Sequence, residues 1–299
     1  MASPYTATVP MDPLLNTPWA TYRLWASTAR YQKKEIDTLT NRSLWLACLG
    51  AVVAAGAEQM KALAGLATAA QWLGVAAAAA VALATYLSRQ VQGDNRIGLW
   101  TRSRTAAESM KSCIYLFRAS AAPFDGSDKA AQINSRMAKV NADMQGVEPR
   151  PPGAEPAADL TPLTVDGYIT KRLVEQIDYY RTQAKEHQAE ADRYRSATTV
   201  LTGLGVVLTV ASMVSVLSLW APVIATLASS ITAYVKNQQL QMLTATYTKT
   251  ALQLSSLLDG WRASGKTEAD KAERDAFLQN CEQTMATENG GWSALWAKN

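Results

Sequence analysis

From Ser196 to Val235 the chain runs for 40 residues without an Asp, Glu, Lys, Arg or His. A single helix of that length would extend about 60 Å, twice the roughly 30 Å of a bilayer's hydrocarbon. A break stands near the middle, at Ser218-Leu219-Trp220-Ala221-Pro222. Pro222 suits the first turn of a new helix, where its missing N–H is no loss. The Trp220 ring suits a water–lipid boundary and reads as an interfacial anchor. The pattern predicts two membrane crossings joined by a turn. The second leg is short, a mismatch that bilayer thinning and the reach of Lys236 to the interface can absorb. A buried hairpin of a soluble protein is the competing reading.

The first half of the chain carries a similar object. Ser43 to Ala57 is uncharged for 15 residues and, after Glu58-Gln59-Met60-Lys61, Ala62 to Ser88 is uncharged for 27. Both runs are rich in alanine, which gains little from lipid, so these helices are expected to pack on others through small side chains. The halves also read as copies. Leu49-Gly50-Ala51-Val52-Val53 matches Leu204-Gly205-Val206-Val207-Leu208 at an offset of 155, and Arg118-Ala119-Ser120 matches Arg262-Ala263-Ser264 at 144.

Amphipathic helices flank each hairpin. Trp25, Ala29, Ile36 and Leu39 precede the first, and Leu173, Ile177, Tyr180 and Ala184 precede the second. Trp100, Ala107, Met110, Ile114 and Phe117 follow the first hairpin. Leu240, Leu243, Tyr247, Leu254, Leu257 and Trp261 follow the second at helical spacing. The fold expected is therefore all-α: a membrane protein with two tandem transmembrane helical hairpins, four crossings in all, extended by long cytoplasmic amphipathic helices. Residues 147–163 hold five prolines and read as a hinge. A short polar helix is expected just before it. Another is expected from Glu273, broken at Gly290-Gly291, with Trp292 and Trp296 four apart on one face, docking back on the stalk or serving as further interfacial anchors.

Charge orients the hairpins. Lys33, Lys34 and Arg42 precede the first crossing, Arg89, Arg96, Arg102 and Arg104 follow the second, and the tips offer little beyond Lys61. The positive-inside rule places both termini in the cytoplasm. The net charge of +4 is then accounted for locally, and no nucleic acid is expected as a partner. The N-terminal segment lacks the basic and apolar regions of a cleavable signal peptide. Cys48, Cys113 and Cys281 form neither a disulfide framework nor a metal spacing, and read as core thiols. His187, the one histidine, reads as a solvated surface residue. Glu108, Asp192 and Glu288 show no partner constellation, and no nucleophile or phosphate-loop motif is present. The expectation is no enzyme, no cofactor and no metal.

A polar helix, a hairpin opening on Leu204-Gly205-Val206-Val207, a helix with an aromatic face and the closing Glu288-Asn289-Gly290-Gly291-Trp292 together resemble the SLATT domains. These are bacterial two-transmembrane domains associated with second-messenger and related conflict systems. The resemblance implies an N-terminal tail (1–18), one SLATT-like unit (19–145), a Pro-rich linker (146–165) and a second unit (166–299). The first unit lacks a good copy of the closing Glu–Trp element. The resemblance further implies a multi-pass effector of the bacterial inner membrane that oligomerises into a pore or perturbs the bilayer on a partner's or second messenger's signal. Its partners would be the lipid bilayer, further copies of itself and a cytoplasmic signalling or sensor protein.

Polar positions inside the crossings carry the pore question. Thr198, Thr202, Gly205, Thr209 and Ser212 fall on one side of the third crossing, and Thr226, Ser229, Ser230 and Ala233 on one side of the fourth. They read either as helix-packing positions, with hydroxyls bonded to neighbours or backbone, or as a weakly selective pore lining. A non-conducting membrane-anchored scaffold that recruits a cytoplasmic partner stays open as the alternative function. So does a soluble protein that inserts on demand.

Overall fold

Apolar stripes at helical spacing become helices throughout the computed structural model, which describes residues 12–61, 65–93, 95–154, 158–211 and 220–296. Among these residues every regular element is helical. A 3-10 turn at Pro13–Leu15 leads into α1 (Asn16–Lys61), followed by α2 (Ala67–Gly93), α3 (Arg96–Arg118) and α4 (Lys129–Asp143). An extended segment leads to α5 (Val165–Tyr168), whose Thr164 cap accepts the Gly167 N–H at 3.1 Å. A π-helical segment, Ile169–Val174, joins α5 to α6 (Glu175–Ala211). After it come α7 (Ala221–Gln238), α8 (Leu240–Ala263) and α9 (Lys271–Trp296).

The chain divides into two compact units, each drawing on both halves of the sequence. Unit 1 comprises Met1–Lys33, Gly98–Thr182 and Thr246–Asn299; unit 2 comprises Lys34–Ile97 and Gln183–Ala245.

Unit 1 is built on the amphipathic stripes. From the first half, Trp25 packs with Ala106, Ala107, Met110, Val140 and Met144. Leu15 packs with Ile114, Phe117, Phe124, Ile133 and Leu160. From the second half, Leu173, Ile177, Tyr180, Tyr247, Leu254 and Leu278 are buried. At the end of the α8 stripe Leu258 is buried in place of the expected Leu257, a shift of one position on the same helix face.

The Pro-rich segment is strapped down instead of forming a free hinge. The Arg23 guanidinium donates to the Gly153 carbonyl at 2.8 Å, and the Arg150 N–H donates to Thr28 Oγ1 at 2.9 Å. Further along, Arg118 Nε donates to the Thr161 carbonyl at 2.8 Å, and the Arg118 carbonyl accepts the Leu163 N–H at 2.8 Å. Proline blocks helix formation, but the extended backbone still offers carbonyls, and arginines from α1 and α3 take them. α9 likewise continues through Gly290-Gly291 where a break was expected. Glycine in a helix interior costs about 1 kcal/mol against alanine but keeps its backbone donor, so it weakens a helix without ending it.

Similar backbone breaks recur in both halves. Asn95, between α2 and α3, has φ of 50°, and Gln239, between α7 and α8, has φ of 49°, 144 positions later. Ser120 closes α3 with φ of 47°, and Gly265 follows α8 with φ of 62°.

Candidate functional site

Along the apolar stretches of unit 2 the buried positions are mostly small, and most of the large apolar side chains are exposed. On α2, Ala70, Ala77, Ala84 and Val91 recur at steps of seven and are buried. A strict seven-residue repeat keeps one seam of a helix facing its partner. The partner is α1, where a Cβ added to Gly50 would stand 2.8 Å from Val81 Cγ2 and 3.2 Å from the Ala77 carbonyl oxygen. About two turns earlier on α1, the Ser43 hydroxyl donates to the Ala84 carbonyl at 2.8 Å. In the second hairpin, a Cβ on Gly205 would lie 3.5 Å from Ile224 Cγ2, and the Tyr194 and Tyr234 rings sit 5.2 Å apart.

The large residues face outward. Trp45 is 74% exposed, Trp72 72% and Val210 66%, and Leu49, Val75, Val200, Val206 and Val207 are exposed with them. Among the exposed large apolar side chains of the described residues, Leu14, Tyr31, Tyr179 and Leu252 belong to unit 1, and the rest belong to unit 2. Soluble monomers rarely leave contiguous apolar surface of more than a few hundred Å² in water. Two helical stretches, within Pro13–Lys61 and Ala67–Arg118, are long and apolar enough to cross a membrane, with window hydropathies of 1.3 and 1.6. Only 17% of each window is buried. A core helix of a soluble protein passes the same test of length and composition, but its window would be mostly buried. The four expected crossings are thus represented among the described residues by two such stretches and the shorter apolar Val223–Thr232.

The positions singled out in the crossings are placed as follows. Thr198 is half-buried and its hydroxyl donates to the Tyr194 carbonyl at 2.9 Å, one turn back. Thr202 is exposed, and with Gly205 it lines an open groove of about 430 Å³ beside Ile224, Ala225 and Ala228. Thr226 and Ser229 are exposed, Ser230 is half-buried, and Ser229 donates to the Thr226 carbonyl at 3.0 Å. Trp220 is half-buried immediately before α7, and Pro222 falls in that helix's first turn. Ser212 lies outside the described residues, as do the side chains of Thr209, Ala233, Trp292 and Trp296. His187 is half-buried, less solvated than expected. Of the three free thiols, Cys281 is buried, while Cys48 and Cys113 are half-buried.

Unit 1 holds a charged network that the sequence did not announce. Arg172, inside the π segment, is 2% exposed. Its Nε and Nη2 donate to the two oxygens of Glu282 on α9, each at 3.1 Å. The Tyr168 hydroxyl adds a bond of 2.8 Å to the same carboxylate, and Tyr115 lies under the guanidinium at 5.0 Å. Burial alone would raise the Glu282 carboxyl; the Arg172 charge and the bonds from Arg172, Tyr168 and Ser112 hold it below the usual carboxylate range. Six residues on, Glu288 repeats the arrangement, accepting from Tyr180 at 3.2 Å and pairing with Arg104 at 3.4 Å. Burial, reinforced by Glu282, pushes the Tyr168 phenol well above its ordinary value, and burial with Glu288 does the same for Tyr180. Glu288 was expected to lack partners and instead is a buried carboxylate. Glu108 approaches Arg172 at 4.0 Å.

The closing Glu288 and the Gly205 hairpin are the elements on which the resemblance rested, and comparison with family models bears it out. Residues 168–292 match "SMODS and SLOG-associating 2TM effector domain 1". This part of the chain is similar to the SLATT-type two-transmembrane effector domains. Residues 23–132 match a second family, described as a protein of unknown function, DUF4231. No curated protein and no solved structure matches the chain. The SLATT match and the two apolar stretches associate the protein with a membrane, and the matched description is that of an effector domain.

Proposed function

We propose that the protein is a multi-pass effector of the bacterial inner membrane whose unit 2 crosses the bilayer four times, with both termini cytoplasmic. On a signal from a partner or second messenger, it would oligomerise into a pore or perturb the membrane. The observation that carries this reading is the inversion of unit 2: alanines and Gly50 inside, Trp45, Trp72 and the valines outside. Water penalises that arrangement and hydrocarbon does not. Tandem duplication is supported by the paired left-handed breaks at Asn95 and Gln239, by a hairpin packed within each half, and by the two family matches falling one in each half. On this reading residues 19–145 and 166–299 are related units. The hydroxyls of Thr198 and Ser229, bonded to their own helices, support a packing role in the resting state.

Two experiments test it. The protein should stay with membranes after an alkaline wash; release into the wash removes the reading altogether. Reconstituted in liposomes with its partner and signal, it should leak a trapped dye or ion. Persistent retention would favour the non-conducting scaffold.

A further inference from the structure

Unit 1 contains a cavity of about 290 Å³ where α3, α4, the π segment and α9 meet. That size is at the lower end of the range for small-molecule sites. Leu116, Phe124 and Met285 supply an apolar wall, and Arg172, Arg136 and Cys113 line the polar side. Arg172 spends Nε and Nη2 on Glu282, yet its Nη1 is buried with no hydrogen-bond partner among the described residues. A buried charged donor without an acceptor is unfavourable, because it has given up water and received nothing. Arg136, from α4, is exposed and holds no ion pair among the described residues. The acidic groups at the cavity are already engaged: Glu282 is bonded on both oxygens, and Glu108 faces Arg172. Spare capacity here is therefore cationic and donor-rich, next to an apolar wall.

We propose that this cavity binds a small molecule carrying a carboxylate or phosphate on a compact apolar body. The oxyanion accepts from Arg172 Nη1 and Arg136 while the body lies against Phe124 and Met285. Such a ligand would tie α3 and α4 of the first half to the π segment and α9 of the second. The site lies wholly in unit 1 and stands whether or not unit 2 crosses a bilayer.

Cys113 reports on it directly. Burial pushes the thiol up to about 11 against the pull of Arg136, so alkylation is slow but measurable at mildly alkaline pH. The full chain in detergent is treated with iodoacetamide and modification at Cys113 is read by peptide mass, which separates it from Cys48 and Cys281. Phenyl phosphate, benzoate and uncharged phenol are compared as probes. Phenyl phosphate or benzoate should slow Cys113 alkylation saturably, by about tenfold at ten times the half-protecting concentration. Which of the two protects decides between a phosphate and a carboxylate ligand. Phenol should not protect, and Arg136→Ala should lose protection judged against that variant's own unliganded rate, which falls because the Arg136 charge no longer pulls the thiol down. Absence of protection by both anions, equal protection by phenol, or full protection in Arg136→Ala would each overturn the proposal.

Discussion

The Arg172 guanidinium grips the Glu282 carboxylate through two parallel hydrogen bonds of 3.1 Å in a place where neither residue is more than 3% exposed. The two residues are 110 positions apart, and their pairing fastens α9 to the π segment.

Removing one partner should therefore do more harm than removing both. Arg172→Met leaves a buried, uncompensated carboxylate and should destabilise unit 1 by about 3–5 kcal/mol. The double variant Arg172→Met/Glu282→Leu should recover much of that loss. Thermal unfolding followed by tryptophan fluorescence in detergent compares them, and a double variant as unstable as the single would contradict the argument.

The same pair sets an acid dependence. Glu282 is held below its unfolded value of about 4.3, so the folded state binds fewer protons. Its contribution is complete above pH of about 4.3 and is lost as pH falls through the lower folded-state value. The melting temperature of the wild type should drop between pH of about 5 and 3. Glu282→Gln, already less stable at neutral pH, should drop less, and parallel curves would count against the assignment.

Gly50 and Gly205 stand 155 positions apart in similar sequence but should respond differently to alanine. At Gly50 the new methyl meets Val81 at 2.8 Å and a backbone oxygen at 3.2 Å, which forces α1 and α2 apart. Gly50→Ala should cost about 1–3 kcal/mol, as overpacking does. Gly205→Ala makes an ordinary 3.5 Å contact and should be close to neutral. Melting of the two variants side by side checks this.

Truncation before Lys271 should unfold unit 1, because α9 supplies Leu278, Cys281 and Met285 to the interior and Glu282 to Arg172. Limited proteolysis should then cut within α3 and α8. A truncated chain with wild-type protection would show α9 to be an appendage.

Cysteines at Lys61 and Arg89 test the proposed topology in a Cys48→Ser/Cys113→Ser background. In intact cells an impermeant maleimide should label position 61 and spare position 89. The reverse pattern, or labelling of both, would rule out the orientation drawn from charge.

The amphipathic stripes were legible because burial on a helix follows its period. Trp25, Ala29, Ile36, Leu173, Ile177 and Tyr180 are all buried as their spacing requires. The Ala70-Ala77-Ala84 seam has the same regularity, but alanine is a weak hydropathic signal, so its seven-residue step does not stand out from the alanines around it. Arg172 and Glu282 could not be found this way. No local pattern links residues on different helices so far apart in the chain, and a charged side chain in an amphipathic stretch reads as solvated. The Pro-rich segment misled for a related reason: proline reports that a helix is absent and is silent about which side chains take the freed carbonyls.

The halves of unit 1 each bring an apolar interior, while much of what joins them is charged or hydrogen-bonded: Arg172 with Glu108, Arg104 with Glu288, Lys271 with Asp125, and Arg274 with the Ser120 carbonyl. A joint of that kind can part without baring a core, since water solvates the groups it releases. Opening there would depend on ionic strength and on any anion that competes for the arginines, so the stiffness of this joint would be set by the solution around it.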